Sequence, residues 1–85
     1  MAAPPPVEVI LYSRKDCHLC DEAKAAIAEA AAPRPFALRE VDVDSDPELV
    51  AAYGLEVPVI FIAGRKAFKY RVDPAEFARK LERSP

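Results

Sequence analysis

Cys17 and Cys20 are the two cysteines of the chain, and they stand two residues apart in Cys17-His18-Leu19-Cys20. A pair so spaced closes one short disulfide and leaves distant parts of a fold unlinked, so its use is chemical rather than architectural. Three chemistries are open to it. Two thiols can exchange disulfides, with one attacking a substrate sulfur and the other resolving the mixed disulfide. The same spacing forms half of many zinc sites, but the chain has no second cysteine pair, so such a site would be shared between copies. Inert buried thiols are the third reading.

The residues around the pair favour exchange. Cys17 falls where a helix is expected to begin, and unpaired backbone N–H groups with the positive end of the helix dipole stabilise a thiolate there. Cys20, one turn further in, is placed to resolve. Arg14 and Lys15 precede the pair and are candidates to stabilise the thiolate or to receive an anionic thiol substrate, Arg14 the stronger because a guanidinium binds a carboxylate through two directed hydrogen bonds. His18 is a candidate for tuning the leaving group from between the cysteines. Tyr12 and Leu19 read as packing residues.

Composition bounds the setting. The chain has 85 residues, enough for one small domain, and a hydrophobic content of 52%, much of it alanine. A formal net charge of −2 supplies no general drive toward nucleic acid or an acidic membrane. No apolar run approaches the ~18 residues of a membrane span, and Met1–Pro6 does not resemble a secretory signal. The expected setting is therefore cytoplasmic, with a monomer acting on small-molecule thiols or protein disulfides. The mechanism calls for no bound cofactor. It does call for an external thiol reductant.

The elements that must position the cysteines follow from the hydrophobic pattern. Met1–Pro6 is expected as a flexible proline-rich tail and residues 7–83 as a single domain. Val7–Tyr12 predicts an inner strand. Leu19, Ala23, Ile27 and Ala30 recur at helical spacing and predict a helix of about 14–15 residues, stopped by Pro33 and Pro35. Phe36–Asp42 predicts a second strand, ending in a bend that turns Val41 inward. Asp46 and Pro47 begin a short helix that Gly54 ends through a left-handed cap. Val59–Ile62 predicts a third strand, Gly64-Arg65 a tight turn, Ala67–Val72 a fourth strand, and Asp73-Pro74-Ala75-Glu76 the capped start of a last helix carrying Phe77 and Leu81. The order β-α-β-α-β-β-α implies an α/β fold, with a mixed four-stranded sheet flanked by three helices. Its first crossover is parallel and its Gly64 turn antiparallel.

Tyr12-Ser13-Arg14-Lys15-Asp16-Cys17-His18-Leu19-Cys20 together with Glu56-Val57-Pro58-Val59-Ile60-Phe61 resembles the glutaredoxin family of the thioredoxin superfamily, over about Val7 to Leu81. The resemblance implies a thiol–disulfide oxidoreductase of thioredoxin/glutaredoxin-like fold. It also implies a cis Val57–Pro58 bond facing the dithiol, so that Val57 and Pro58 join Arg14 and His18 as substrate-binding candidates. The chain departs from the family at His18-Leu19, where proline and tyrosine are usual, and at Arg71-Val72-Asp73-Pro74, where the family has a diglycine segment that contacts the glutathione tail. In this it resembles short glutaredoxin-like proteins more than glutathione-dependent enzymes. The alternative is a non-enzymatic module of the same fold that binds a thiol, metal or peptide.

Overall fold

A computed structural model describes residues 5–85, so the part of the expected tail spanning residues 1–4 lies outside the described residues. Four strands, β1 (Val7–Ser13), β2 (Phe36–Asp42), β3 (Val59–Ile62) and β4 (Arg65–Lys69), alternate with helices α1 (His18–Glu29), α2 (Pro47–Tyr53) and α3 (Pro74–Arg83) in the expected order. The sheet order is β2-β1-β3-β4. β1 pairs parallel with β2, from Val7 opposite Phe36 to Ser13 opposite Asp42, and antiparallel with β3. β3 pairs antiparallel with β4.

The β1 sequence explains its central place. Val7, Val9, Leu11 and Ser13 point to one face and are buried, while Glu8, Ile10 and Tyr12 point to the other. The buried face meets Ala23 and Ile27 of α1, Ile60 and Ile62 of β3, and Phe77 and Leu81 of α3 in one core. On the opposite face Tyr12, Tyr53 and Phe61 pack as an aromatic triad with ring centroids 4.8–5.8 Å apart, and this triad seats the otherwise half-exposed α2.

Four local expectations are corrected. α1 has 12 residues and ends at Glu29, with the backbone of its C-cap Ala30 already extended, because Ala31 and Ala32 offer little side-chain area to bury ahead of Pro33. The residue that turns inward after β2 is Val43, fully buried in a single 3-10 turn, whereas Val41 is half-buried. Gly54 caps α2 in the right-handed helical region (φ −55°), so its role is close approach and not left-handed geometry. An ideal Cβ there would lie 2.6 Å from the Val50 carbonyl oxygen. β4 begins at Arg65 and stops at Lys69, since Tyr70 takes φ +70° and cannot continue a strand.

Candidate active site

β1 delivers the chain to the dithiol. After Ser13, a turn through Arg14, Lys15 and Asp16 reverses into α1, with Asp16 at φ 56°, a left-handed conformation that aspartate tolerates better than most side chains. Cys17 is the N-cap of α1, and its Sγ accepts a hydrogen bond from the Cys20 backbone N–H at 3.1 Å. This is where the helix leaves N–H groups unpaired, so a negative sulfur at Cys17 is stabilised by direct donation and by the dipole. The two cysteines are joined as a disulfide with Cα atoms 5.2 Å apart. Cys17 is half-buried and Cys20 is 2% exposed, so Cys17 is the more accessible residue of the pair.

The second sequence motif arrives at the same end of the sheet. Val59 pairs with Tyr12, which puts Pro58 beside the end of β1 from which the dithiol turn departs. The Val57–Pro58 bond is cis, as the resemblance implies, and Pro58 is fully buried. Its carbonyl accepts a hydrogen bond from Tyr70 N–H at 2.8 Å. Val57, half-buried, makes no backbone hydrogen bond to the rest of the described chain.

The charged candidates separate. Arg14 does not point freely at the dithiol: its Nε and Nη2 bind the two carboxylate oxygens of Asp44 at 3.1 and 2.7 Å, and Nη1 donates to the Gly54 carbonyl at 3.2 Å. The pairing raises the Arg14 pKa and lowers that of Asp44, in each case chiefly through the side-chain hydrogen bond between them. Lys15 is exposed and enters no ion pair among the described residues. The His18 side chain is 88% exposed, with Nε2 3.8 Å from a Glu22 carboxylate oxygen. The structure thus brings Cys17, Cys20 and the Val57–Pro58 loop to one end of the sheet, and turns Arg14 toward α2.

Four contributors have little mark in the sequence. Ser13 is buried and donates its hydroxyl to Glu40 at 2.9 Å, and Lys24 meets Glu40 at 2.8 Å, so β1, β2 and α1 are tied together behind the dithiol turn. Hydrogen bonds from Lys24 first, and from Ser13, hold the Glu40 carboxyl below the ordinary glutamate value against partial burial. Tyr70 is the fourth: the Arg71 N–H donates to the Lys69 carbonyl across it at 2.8 Å, and Tyr70, Arg71 and Val72 form one wall of a groove whose other wall is Leu19, Glu22 and Ala23. A tyrosine at positive φ has no sequence signature, whereas the turn at Asp16 could have been read from the aspartate.

A Cys-x-x-Cys at a helix N-cap, beside a buried cis-proline at the end of a β2-β1-β3-β4 sheet, defines a protein of the thioredoxin/glutaredoxin fold with a disulfide-forming pair. The chain belongs to the glutaredoxin-like domain family (DUF836), whose model matches residues 8–82. Among solved structures it is similar to target protein XcR50 from X. campestris, at 40% identity over 91% of this chain and 99% of that one, with a TM-score of 0.77. Protein Ne2328 from Nitrosomonas europaea has the same fold at 24% identity, covering 95% of this chain and 98% of that one, with a TM-score of 0.71. A mutant thioredoxin from Halobacterium salinarum is similar at 26% identity, over 87% of this chain and 68% of that one, with a TM-score of 0.52. A search of curated proteins finds no match. Among the described residues, no group of three or more His, Cys, Asp or Glu side chains is arranged to hold a metal ion, and no helix is long and apolar enough to cross a membrane.

Proposed function

We propose that this protein is a thiol–disulfide oxidoreductase in which Cys17 attacks and Cys20 resolves. The observation that carries the reading is the placement of a half-buried Cys17 at the N-cap, with a buried Cys20 one turn behind it. A substrate disulfide can reach Cys17, and Cys20 has Cys17 as its near neighbour. In the first step the Cys17 thiolate forms a bond to one substrate sulfur while the substrate S–S bond breaks, and the departing thiolate takes a proton from solvent. In the second, Cys20 loses its proton and attacks Cys17 Sγ, closing the internal disulfide and releasing the other substrate thiolate. The substrate gains two electrons and the dithiol loses two. An external thiol, glutathione or the dithiol of a reductase system, returns them.

In this scheme Val57 offers its backbone groups to the substrate chain beside the sulfur, Pro58 shapes that face, and His18 stands at the exposed rim. Arg14 holds the turn through Asp44 and Gly54, and a substrate carboxylate that used it would have to compete with Asp44. The proposed setting is the cytoplasm, where reduced thiol pools can recycle a monomer bearing this dithiol. Residues 7–83 are proposed as the single domain that carries the activity.

The test is turnover of a small mixed disulfide with glutathione, run beside turnover driven by a thioredoxin-type reductase system. Activity in either supports the reading and identifies the reductant. Alkylation by iodoacetamide should reach Cys17 of the reduced protein first at neutral pH, and faster labelling of Cys20 would reverse the roles. A second reading, a thiol-, metal- or peptide-binding module, is favoured by Arg71–Pro74, which lacks glycine where the resembled family places two. Inactivity in both assays, with stoichiometric zinc or iron after anaerobic purification, would establish the module instead.

A further inference from the structure

The pole of the molecule opposite the dithiol carries a cationic cavity that the proposed exchange does not use. β3 leads away from Pro58, so that Val59 pairs with Tyr12 near the dithiol while Ile62 pairs with Val9 at the far end. There a cavity of about 240 Å³ opens between β4 and the last turns of α3. Arg65 and Lys66 line it from the strand and Lys80 and Arg83 from the helix, with Ile62 and Ala67 as apolar surface and Ser84 and Pro85 completing the wall.

The sequence does not require this convergence. Basic residues in the last turn of α3 complement the negative end of its dipole, which accounts for Lys80 and Arg83. It does not account for Arg65, on a different element, lining the same space. Lys66 is paired outward with Glu56 at 2.7 Å, but Arg65, Lys80 and Arg83 enter no ion pair among the described residues. Lys80 is nonetheless held in place, since its ammonium donates to the Ala67 carbonyl at 2.7 Å and sits 4.5 Å from the Phe68 ring centroid. The floor is equally fixed: Arg34 reaches the Ser84 carbonyl at 2.6 Å and the Ser84 hydroxyl donates to the Lys80 carbonyl at 2.8 Å. Arg65 and Arg83 are exposed, so water and salt screen their mutual repulsion, and in a chain of net charge −2 the gathering is a local inversion of sign that favours an anion between them.

We propose that this cavity binds a phosphate-type oxyanion, with Arg65 and Arg83 as guanidinium forks and Lys80 as a fixed point charge. Two planar forks around a small space match a tetrahedral oxyanion better than they match a single carboxylate. The volume suits one phosphate group with a short apolar body against Ile62 and Ala67 rather than an entire nucleotide cofactor. The source of the phosphate is either the free ion or a phosphate monoester, and the apolar surface separates the two.

The site is tested by amide chemical-shift titration of the isotopically labelled full chain at pH 8, where a phosphate monoester is a dianion. The probes are inorganic phosphate, phenyl phosphate and benzoate. Saturable shifts at Ala67, Lys80, Arg83 and Ser84, with Cys17 and Cys20 unmoved, are expected for both phosphates and stronger than for benzoate. Tighter binding of phenyl phosphate identifies an ester as the source, and equal binding identifies the free ion. Arg65→Gln and Arg83→Gln should each weaken binding about tenfold while keeping the dispersed spectrum of the folded chain. Arg39→Gln, which removes the same charge from β2 at the other sheet edge, should not. Shifts that fail to saturate, that centre on the dithiol, or that fall equally in the Arg39→Gln protein would overturn the proposal. Binding is read in the oxidised protein without turnover, so its outcome is independent of the redox reading.

Discussion

At the residue scale, the difference between Cys17 and Cys20 is one of access and of which backbone groups they meet. Cys17 accepts from a helix N–H at the surface, and Cys20 is buried beneath it. Cys17→Ser should abolish disulfide exchange. Cys20→Ser should instead accumulate a stoichiometric mixed disulfide on Cys17, visible by intact-mass spectrometry after one equivalent of substrate, because the resolving attack is lost while the first is kept. An adduct on Cys20 in the Cys17→Ser protein with undiminished rate would refute the order. Arg14 and Lys15 are separated by what they already bind. With its guanidinium on Asp44 and Gly54, Arg14 should act through the shape of the turn, so Arg14→Ala should slow charged and neutral disulfides to a similar extent. Lys15→Ala should slow the charged one selectively. A selective loss in Arg14→Ala, measured as second-order rates with both substrates, would restore the direct capture of an anion that its side-chain chemistry suggests.

At the scale of elements, α2 and α3 are held in different ways, and substitutions should tell them apart. α3 has a strong start and a deep anchor: Asp73 caps it by accepting from Glu76 N–H at 2.9 Å, Pro74 follows, and Phe77 and Leu81 are fully buried. Asp73→Ala should cost about 1 kcal/mol, read as a shift of the urea midpoint without a change in slope. α2 has seven residues, none of them fully buried, and relies on the aromatic triad and on its terminal glycine. Gly54→Ala puts a methyl group against the Val50 carbonyl and within 3.2 Å of its Cγ1. The expected loss is about 1–3 kcal/mol. It should be accompanied by amide shift changes at Arg14, whose guanidinium uses the Gly54 carbonyl. A neutral Gly54→Ala would mean that α2 moves freely to make room.

At the scale of the whole molecule, surface carboxylates are paired with cations, between separate segments for Glu40, Asp44 and Glu56 and within α3 for Glu76. Glu40, Asp44, Glu56 and Glu76 all have pKa values lowered, in each case first by a hydrogen bond from Lys24, Arg14, Lys66 or Arg79 respectively. A carboxylate whose folded pKa lies below its unfolded one stabilises the fold fully above the unfolded value, and that contribution disappears as pH falls through the folded value. The urea midpoint should therefore hold from about pH 7 to near 5 and decline below about 4.5. The pairs are exposed, so salt at about 1 M should flatten the decline. An acid limb indifferent to salt would point to buried groups instead.

Much of this was legible in local chemistry. The alternation of Val7, Val9 and Leu11, the run Val59–Ile62 and the Asp73-Pro74 start specify strands and helices because burial period and capping act within a few residues. The Cys17–Cys20 spacing likewise places both sulfurs on the first turn of α1, whatever surrounds it. The resemblance carried by Val57-Pro58 supplied the cis bond that the residues alone leave open. What only the tertiary structure decided are the long-range partners. Asp44 and Gly54 claim Arg14 from 30 and 40 residues away, Glu40 claims Ser13, and the Tyr70 N–H binds the Pro58 carbonyl. Arg65 and Arg83 share a cavity only because β4 and the end of α3 meet in space. Charge and hydrogen-bonding capacity are written in each side chain. Which partner satisfies them is set by distance, and distance between remote residues exists only once the sheet has ordered its strands.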